Sequence, residues 1–111
     1  LDALMRQTDI FIAPSLYESF GLTYVEAMRY AIPCVAYAAG GVTEVIEDGV
    51  TGLLAPLGDQ AALLQALERI VVTEPLRNAM SDAARQRFHE RYHYRQMAGR
   101  LEQVYREAAA R

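Results

Sequence analysis

Lysine is absent from the chain, and all of its basic side chains are arginine. Only Arg6 and Arg29 fall within residues 1 to 59, against eight acids, and the formal net charge of the whole is −3. That balance argues against a nucleic-acid partner. Holding a phosphate backbone takes a stripe of cations, often interleaved with aromatic rings, and the acidic half has none. A receiver domain accepting phosphate on aspartate would need a lysine beside it, so that class is disfavoured as well. The single cysteine, Cys34, can form neither an internal disulfide nor a zinc site, and a reducing, cytoplasmic setting is expected. With no histidine near it, Cys34 reads as a buried small hydrophobe rather than a nucleophile. Long apolar runs are missing too: residues 31 to 42 are interrupted by Pro33, Gly40 and Gly41 and are too short to span a bilayer. Peripheral attachment at an inner membrane is weighed only for a longer parent.

What the chain does have is a short apolar segment, Asp9-Ile10-Phe11-Ile12-Ala13-Pro14, followed by a loop and an amphipathic stretch. β-Branched and aromatic residues in the first segment predict a strand buried on both faces and stopped by Pro14. Leu22, Val25, Met28 and Ile32 recur near a helical period and predict a helix over residues 22 to 31. Between them lies Glu18-Ser19-Phe20-Gly21. In open α/β sheets this is the junction at which ligands bind, beyond the carboxyl ends of the strands.

Such a junction has definite chemistry to offer. The first N–H groups of a helix lack partners inside it and carry the positive end of its dipole, so they suit a phosphate or a polarised hydroxyl. Gly21 has no Cβ to keep a ligand from the backbone. Glu26, one turn into the helix, can accept two hydrogen bonds from a vicinal diol such as a ribose. Glu18 lies on the other side of the glycine, so the two carboxylates can grip different parts of one elongated ligand. Taken alone, the two acids would read first as exposed side chains near a helix start, stabilised by its dipole.

The pattern of Glu18 and Glu26 around Phe20-Gly21-Leu22, preceded by Ala13-Pro14-Ser15, resembles the signature of the retaining GT-B glycosyltransferases of group 1. A second block is similar: Ile32-Pro33-Cys34-Val35-Ala36, then Gly40-Gly41-Val42-Thr43-Glu44-Val45-Ile46 and Gly49-Val50-Thr51-Gly52-Leu53-Leu54. The resemblance implies that Glu26 hydrogen-bonds the nucleotide ribose and that Glu18 lies beside the transferred sugar. It implies that backbone amides at Phe20, Gly21 and Leu22, with Ser19 in the same loop, contact sugar hydroxyls or diphosphate. The partner implied is a nucleoside-diphosphate sugar, with the acceptor held mainly by an N-terminal domain. Neither metal nor cofactor is implied. The family's basic pair for the diphosphate is expected upstream of this chain.

At 111 residues the chain is one domain at most, and a chain of that size buries roughly two thirds of its unfolded surface. The expected fold is a partial, Rossmann-like, doubly wound parallel sheet with a helical C-terminal tail. Residues 1 to 58 hold donor-binding βα units and residues 59 to 111 hold helices. Leu1 to Thr8 reads as the tail of a helix, so a fragment of a larger enzyme is expected, inactive alone. A non-catalytic α/β interaction module is the alternative. Self-association through exposed surfaces is weighed as one way to cover an open sheet edge.

Further along, Cys34-Val35-Ala36-Tyr37 predicts the next strand, parallel to the first because a helix intervenes. Gly40-Gly41 turns the chain at its carboxyl end. Two readings of this turn stand together: the glycine pair gives a donor sugar room with Glu44 towards the cleft, or Gly41 caps a helix with Glu44 favouring its dipole. A short helix over residues 43 to 48 is expected to stop at Asp48-Gly49. Leu53-Leu54-Ala55 predicts an edge strand closed by Pro56. Asp59 is placed to cap a helix over residues 60 to 72, with Leu63, Leu64, Leu67, Ile70 and Val71 on its apolar face. Glu74-Pro75 opens the next helix, expected to end near Tyr92, and a last helix is expected over residues 95 to 109. His89 and His93, four apart, are weighed as metal ligands and read as a solvated pair.

Overall fold

The computed structural model describes residues 5, 7–16, 22–92, 106 and 108–109. Three strands, β1 (Phe11–Ala13), β2 (Cys34–Tyr37) and β3 (Gly52–Ala55), form one parallel sheet in the order β1-β2-β3. Helix α1 (Leu22–Arg29) joins the first two strands and α2 (Val42–Val45) the next two. After β3 come α3 (Gln60–Val72), α4 (Glu74–Arg87) and a π-helical turn at Phe88–Tyr92. The expected helix over 95 to 109 lies outside the described residues, apart from isolated positions near its end.

The register pairs Phe11 with Cys34, Ala13 with Ala36, and Ala36 with Leu54. Alternate residues of a strand face opposite ways, and here both faces are covered. Phe11, Ala13, Cys34, Ala36 and Leu54 pack with Tyr24, Val25 and Met28 of α1 and with Val42 and Val45 of α2. Val35, Tyr37, Leu53 and Ala55 pack with Leu63 and Ile70 of α3 and Met80 of α4. β2 lies between its neighbours and is buried at every position. Each large side chain fully withdrawn from water, such as Met28 or Ile70, contributes on the order of 1.5–3 kcal/mol. Helices on both faces of a parallel sheet are the doubly wound arrangement.

The termini of α3 and α4 follow the sequence signals. Asp59 Oδ1 accepts from the Ala62 N–H at 3.0 Å, satisfying one of the open donors at the start of α3. Pro75 occupies the first turn of α4, where its missing N–H costs nothing. Arg77 of α4 donates through Nη1 to the Ile70 and Val71 carbonyls, at 3.1 and 2.7 Å, at the negative end of α3. Helix α4 then passes from one core to the other: Met80 belongs to the α3 side and Ala84, one turn on, to the α1 side. Between them Ser81 Oγ donates to the Ala31 carbonyl, just ahead of β2, so α4 crosses at the amino end of the sheet.

Several expectations are corrected. β1 is shorter than residues 9 to 14 and is not buried on both faces: Ile12 is 38% exposed, and among the described residues α3 packs chiefly on β2 and β3. Helix α1 ends at Arg29, not at residue 31. The Ile32 and Ala31 N–H groups return to the Ala27 and Met28 carbonyls, with Ala31 at φ +58, a left-handed stop made on alanine. Helix α2 covers only Val42–Val45. Gly49, at φ +83, serves instead the turn into β3. On α3, Leu63 and Ile70 are buried, whereas Leu64 and Val71 are 58% and 52% exposed on its outer side. The helix reaching Tyr92 is α-helical only to Arg87 and π-helical beyond.

Gly52 shows why the turn into β3 carries glycine. A Cβ there would lie 2.3 Å from the Cys34 carbonyl oxygen, well inside contact distance. The outer margin of β3 is closed by the preceding loop. Gly49 N–H donates to the Gly52 carbonyl at 2.9 Å, and Asp48 Oδ1 accepts from Leu54 N–H at 3.0 Å. Buried Thr51 holds the same loop, its hydroxyl accepting from Glu47 N–H at 2.9 Å.

Candidate functional site

Because β1 and β2 are adjacent and parallel, the segments leaving Ala13 and Tyr37 emerge at the same end of the sheet. One carries Pro14, Ser15 and exposed Leu16 towards α1; the other carries Ala38, Ala39, Gly40 and Gly41 into α2. This places the start of α1, at Leu22, and the Gly40-Gly41 turn at the same end of the sheet, with Glu26 one turn further along α1. Glu18, Ser19, Phe20 and Gly21 lie outside the described residues.

Helix α1 is fixed by its inner side. Tyr24, Val25, Ala27 and Met28 are buried, and the Tyr24 ring meets Phe11 of β1 edge-on, with centroids 5.7 Å apart and planes at 80°. Such a pair adds about 0.5–1.5 kcal/mol beyond area burial and pins the first turns of α1 to β1. Leu22 is exposed at the start of the helix. Glu26 stands at the margin, its side chain 37% exposed, and its Oε1 accepts from Arg29 Nη1 at 3.4 Å. The Arg29 guanidinium also lies over the Tyr30 ring, 5.6 Å from its centroid. Arg29 escaped the sequence reading as a partner of Glu26. The signal was the spacing of three residues, which places both side chains on one helical face.

At the second loop Gly40 has φ +52, which glycine adopts without strain. Gly41 is the N-cap of α2, at φ −70 and ψ −9, and Glu44 lies in the first turn. Thr43 Oγ1 donates to the Gly40 carbonyl at 3.3 Å, and Val42 N–H to the Ala39 carbonyl at 3.1 Å. Glu44 is exposed, and its carbonyl accepts from Arg87 Nη2 at 3.1 Å.

Cys34 carries no chemistry at this site. It is buried in β2, and burial pushes its thiol up to about 12, so no thiolate forms near neutral pH. No group of three or more His, Cys, Asp and Glu suited to a metal occurs among the described residues; His93 lies outside them. Among the described residues no helix is long and apolar enough to cross a membrane. A cleft of about 280 Å³ lies at the opposite, amino end of the sheet, lined among others by Glu47, Thr51, Arg87 and Arg91. Arg87 Nη1 donates there to Glu47 Oε2 at 3.1 Å.

Residues 1–87 match the family model described as Glycosyl transferases group 1. N-acetyl-alpha-D-glucosaminyl L-malate synthase of Bacillus anthracis is 31% identical over 102 residues, which are 92% of this chain and 27% of that protein. The chain thus spans about a quarter of such a relative's length. Among solved structures, sucrose-phosphate synthase from Thermosynechococcus elongatus superposes with a TM-score of 0.84 at 32% identity. The match covers 93% of this chain and 26% of that one. Anabaena HepE in complex with UDP-glucose superposes with a TM-score of 0.78 at 28% identity, covering 90% of this chain and 29% of the other. The parallel sheet with its flanking helices matches the C-terminal domains of GT-B glycosyltransferases. With the family model covering most of its length, the chain belongs to the group 1 glycosyl transferases.

Proposed function

We propose that this chain forms the donor-binding part of a retaining glycosyltransferase. The whole enzyme moves a hexosyl unit from a nucleoside-diphosphate sugar to an acceptor held mainly by a domain outside these residues, and the chain alone turns over little or none. The observation that carries the proposal is that β1 and β2 run parallel and side by side, so that the connections into α1 and α2 leave the same, carboxyl end of the sheet, with the half-exposed Glu26 on α1. A relative of the same fold that holds UDP-glucose supports it.

In this proposal Glu26 accepts hydrogen bonds from the vicinal hydroxyls of the ribose. Backbone N–H groups of Phe20, Gly21 and Leu22 face the diphosphate or sugar hydroxyls, with Ser19 in the same loop. Gly40 and Gly41 leave room for the sugar, and Glu44 borders it. Glu18 orients the sugar and stabilises positive charge developing at the anomeric carbon. The anomeric C–O bond breaks with its electron pair passing to the nucleoside diphosphate, a leaving group that needs no protonating acid. The acceptor hydroxyl oxygen then bonds to the same face of the sugar as its O–H bond breaks, the proton passing to the departing diphosphate oxygen.

Ligand-observed saturation-transfer NMR tests this on the chain itself, with UDP, UDP-glucose and other nucleoside diphosphates and their sugars. Saturation reaching ribose and sugar protons, and lost in Glu26→Ala, is the expected result. Folded wild-type chain with no saturation of any nucleotide, even after the upstream segment is restored, would remove the donor-site role.

A further inference from the structure

Arg29 is the only basic side chain among the described residues before residue 60, and it is directed at Glu26. Its guanidinium is held from two sides, over the half-buried Tyr30 ring and against Glu26 Oε1. Tyr30 itself packs against the core cluster of α1, so the arginine rests on a fixed surface. An exposed glutamate has three side-chain torsions and samples many directions. One that is tied at Oε1 presents Oε2 in a restricted direction. A carboxylate also has about four lone-pair sites, so Oε1 can keep its arginine and still accept a hydroxyl.

We infer that Arg29 is a positioning residue for Glu26: it ties one carboxylate oxygen at the surface of α1, so that one oxygen is anchored and the other is presented to the nucleotide ribose. The role rests on the donor-site proposal above and adds to it a specificity element built from Arg29 and Tyr30. Arg29 does not touch the nucleotide. It acts on how well the site separates a ribose from a ribose lacking a hydroxyl. Lysine in its place keeps the charge but has no planar group to lie on Tyr30, so it would restore only part of the effect.

The test measures binding of UDP and of 2′-deoxy-UDP to the wild-type chain, Arg29→Ala, Arg29→Lys and Glu26→Ala, by titration at low and at high salt. The wild type is expected to prefer UDP. Arg29→Ala is expected to reduce that preference by about two- to fivefold, the range open to an exposed ion pair. Arg29→Lys should fall between, and the wild-type preference should shrink as salt screens the pair. Folding of each variant is checked by circular dichroism, and a merely structural loss would weaken both nucleotides equally. If Glu26→Ala abolishes the preference while Arg29→Ala retains it in full, the role of Arg29 is overturned and the donor site stands. If Glu26→Ala also retains it, or the wild type has none, the ribose contact itself fails and the positioning role goes with it.

Discussion

Ser81 Oγ donates a hydrogen bond to the carbonyl of Ala31, a residue fifty positions earlier in the chain. The contact closes the end of α1 with a side chain from α4, at the one non-glycine residue with positive φ among the described residues. Ser81→Ala should therefore cost about 1 kcal/mol, the typical loss for a partly buried hydrogen bond. Ala31→Gly should change stability the other way, by about 0.5 kcal/mol, because relief of left-handed strain exceeds the added entropy of the unfolded chain. Urea midpoints with unchanged slopes would establish both. A destabilised Ala31→Gly would mean that the alanine methyl packs more usefully than its backbone is strained.

Gly49 and Gly52 separate two reasons for glycine. Around Gly49 there is open space, but φ is +83; at Gly52 the backbone is ordinary, but Cys34 stands where a Cβ would go. Gly49→Ala is expected to cost about 1–2 kcal/mol. Gly52→Ala should cost about 3 kcal/mol or more, since β2 is packed on both faces and cannot yield. Equal losses in a denaturation series would show that β3 shifts away from β2 to admit the methyl.

Cys34 makes stability depend on alkaline pH. Its thiol titrates at about 12 when folded against 9.0 for a free cysteine. Below 9.0 both states keep the proton and the contribution of burial is complete. Above it the unfolded chain releases a proton that the folded chain retains, so stability falls by about 1.4 kcal/mol per pH unit until the folded thiol also ionises. The difference in alkaline slope between the wild type and Cys34→Ala isolates this effect. Identical slopes would place the thiol in contact with water.

Asp48 closes the outer margin of β3 through the Leu54 N–H. Asp48→Ala should cost about 1 kcal/mol and speed hydrogen exchange at Leu54 far more than at Leu53. Uniform acceleration across β3 would instead point to loss of the whole loop.

The alternation of strand and helix was legible because each apolar segment had a length, a period and a stop of its own. Cys34–Tyr37 and Gln60–Val72 appear with the expected bounds, the second because Asp59 offers a cap that little else in that stretch could replace. Periodicity shows which residues share a face but not whether another layer covers it, and Ile12, Leu64 and Val71 were misjudged for that reason. The end of α1 was misplaced because its left-handed stop falls on Ala31 rather than on a glycine. That the start of α1 and the Gly40-Gly41 turn share one end of the sheet was readable from parallel connectivity alone. The Glu26–Arg29 pair was not, since spacing permits such contacts far more often than side chains make them.

Helix α4 belongs to neither face of the sheet alone. Met80 completes the packing on the α3 side and Ala84 that on the α1 side, so peeling the helix away would open both to water together. The sheet consequently has no half that could melt first and leave the other intact. Heat or denaturant should take the described core apart in a single cooperative step, with α4 as the tie whose release ends both layers at once.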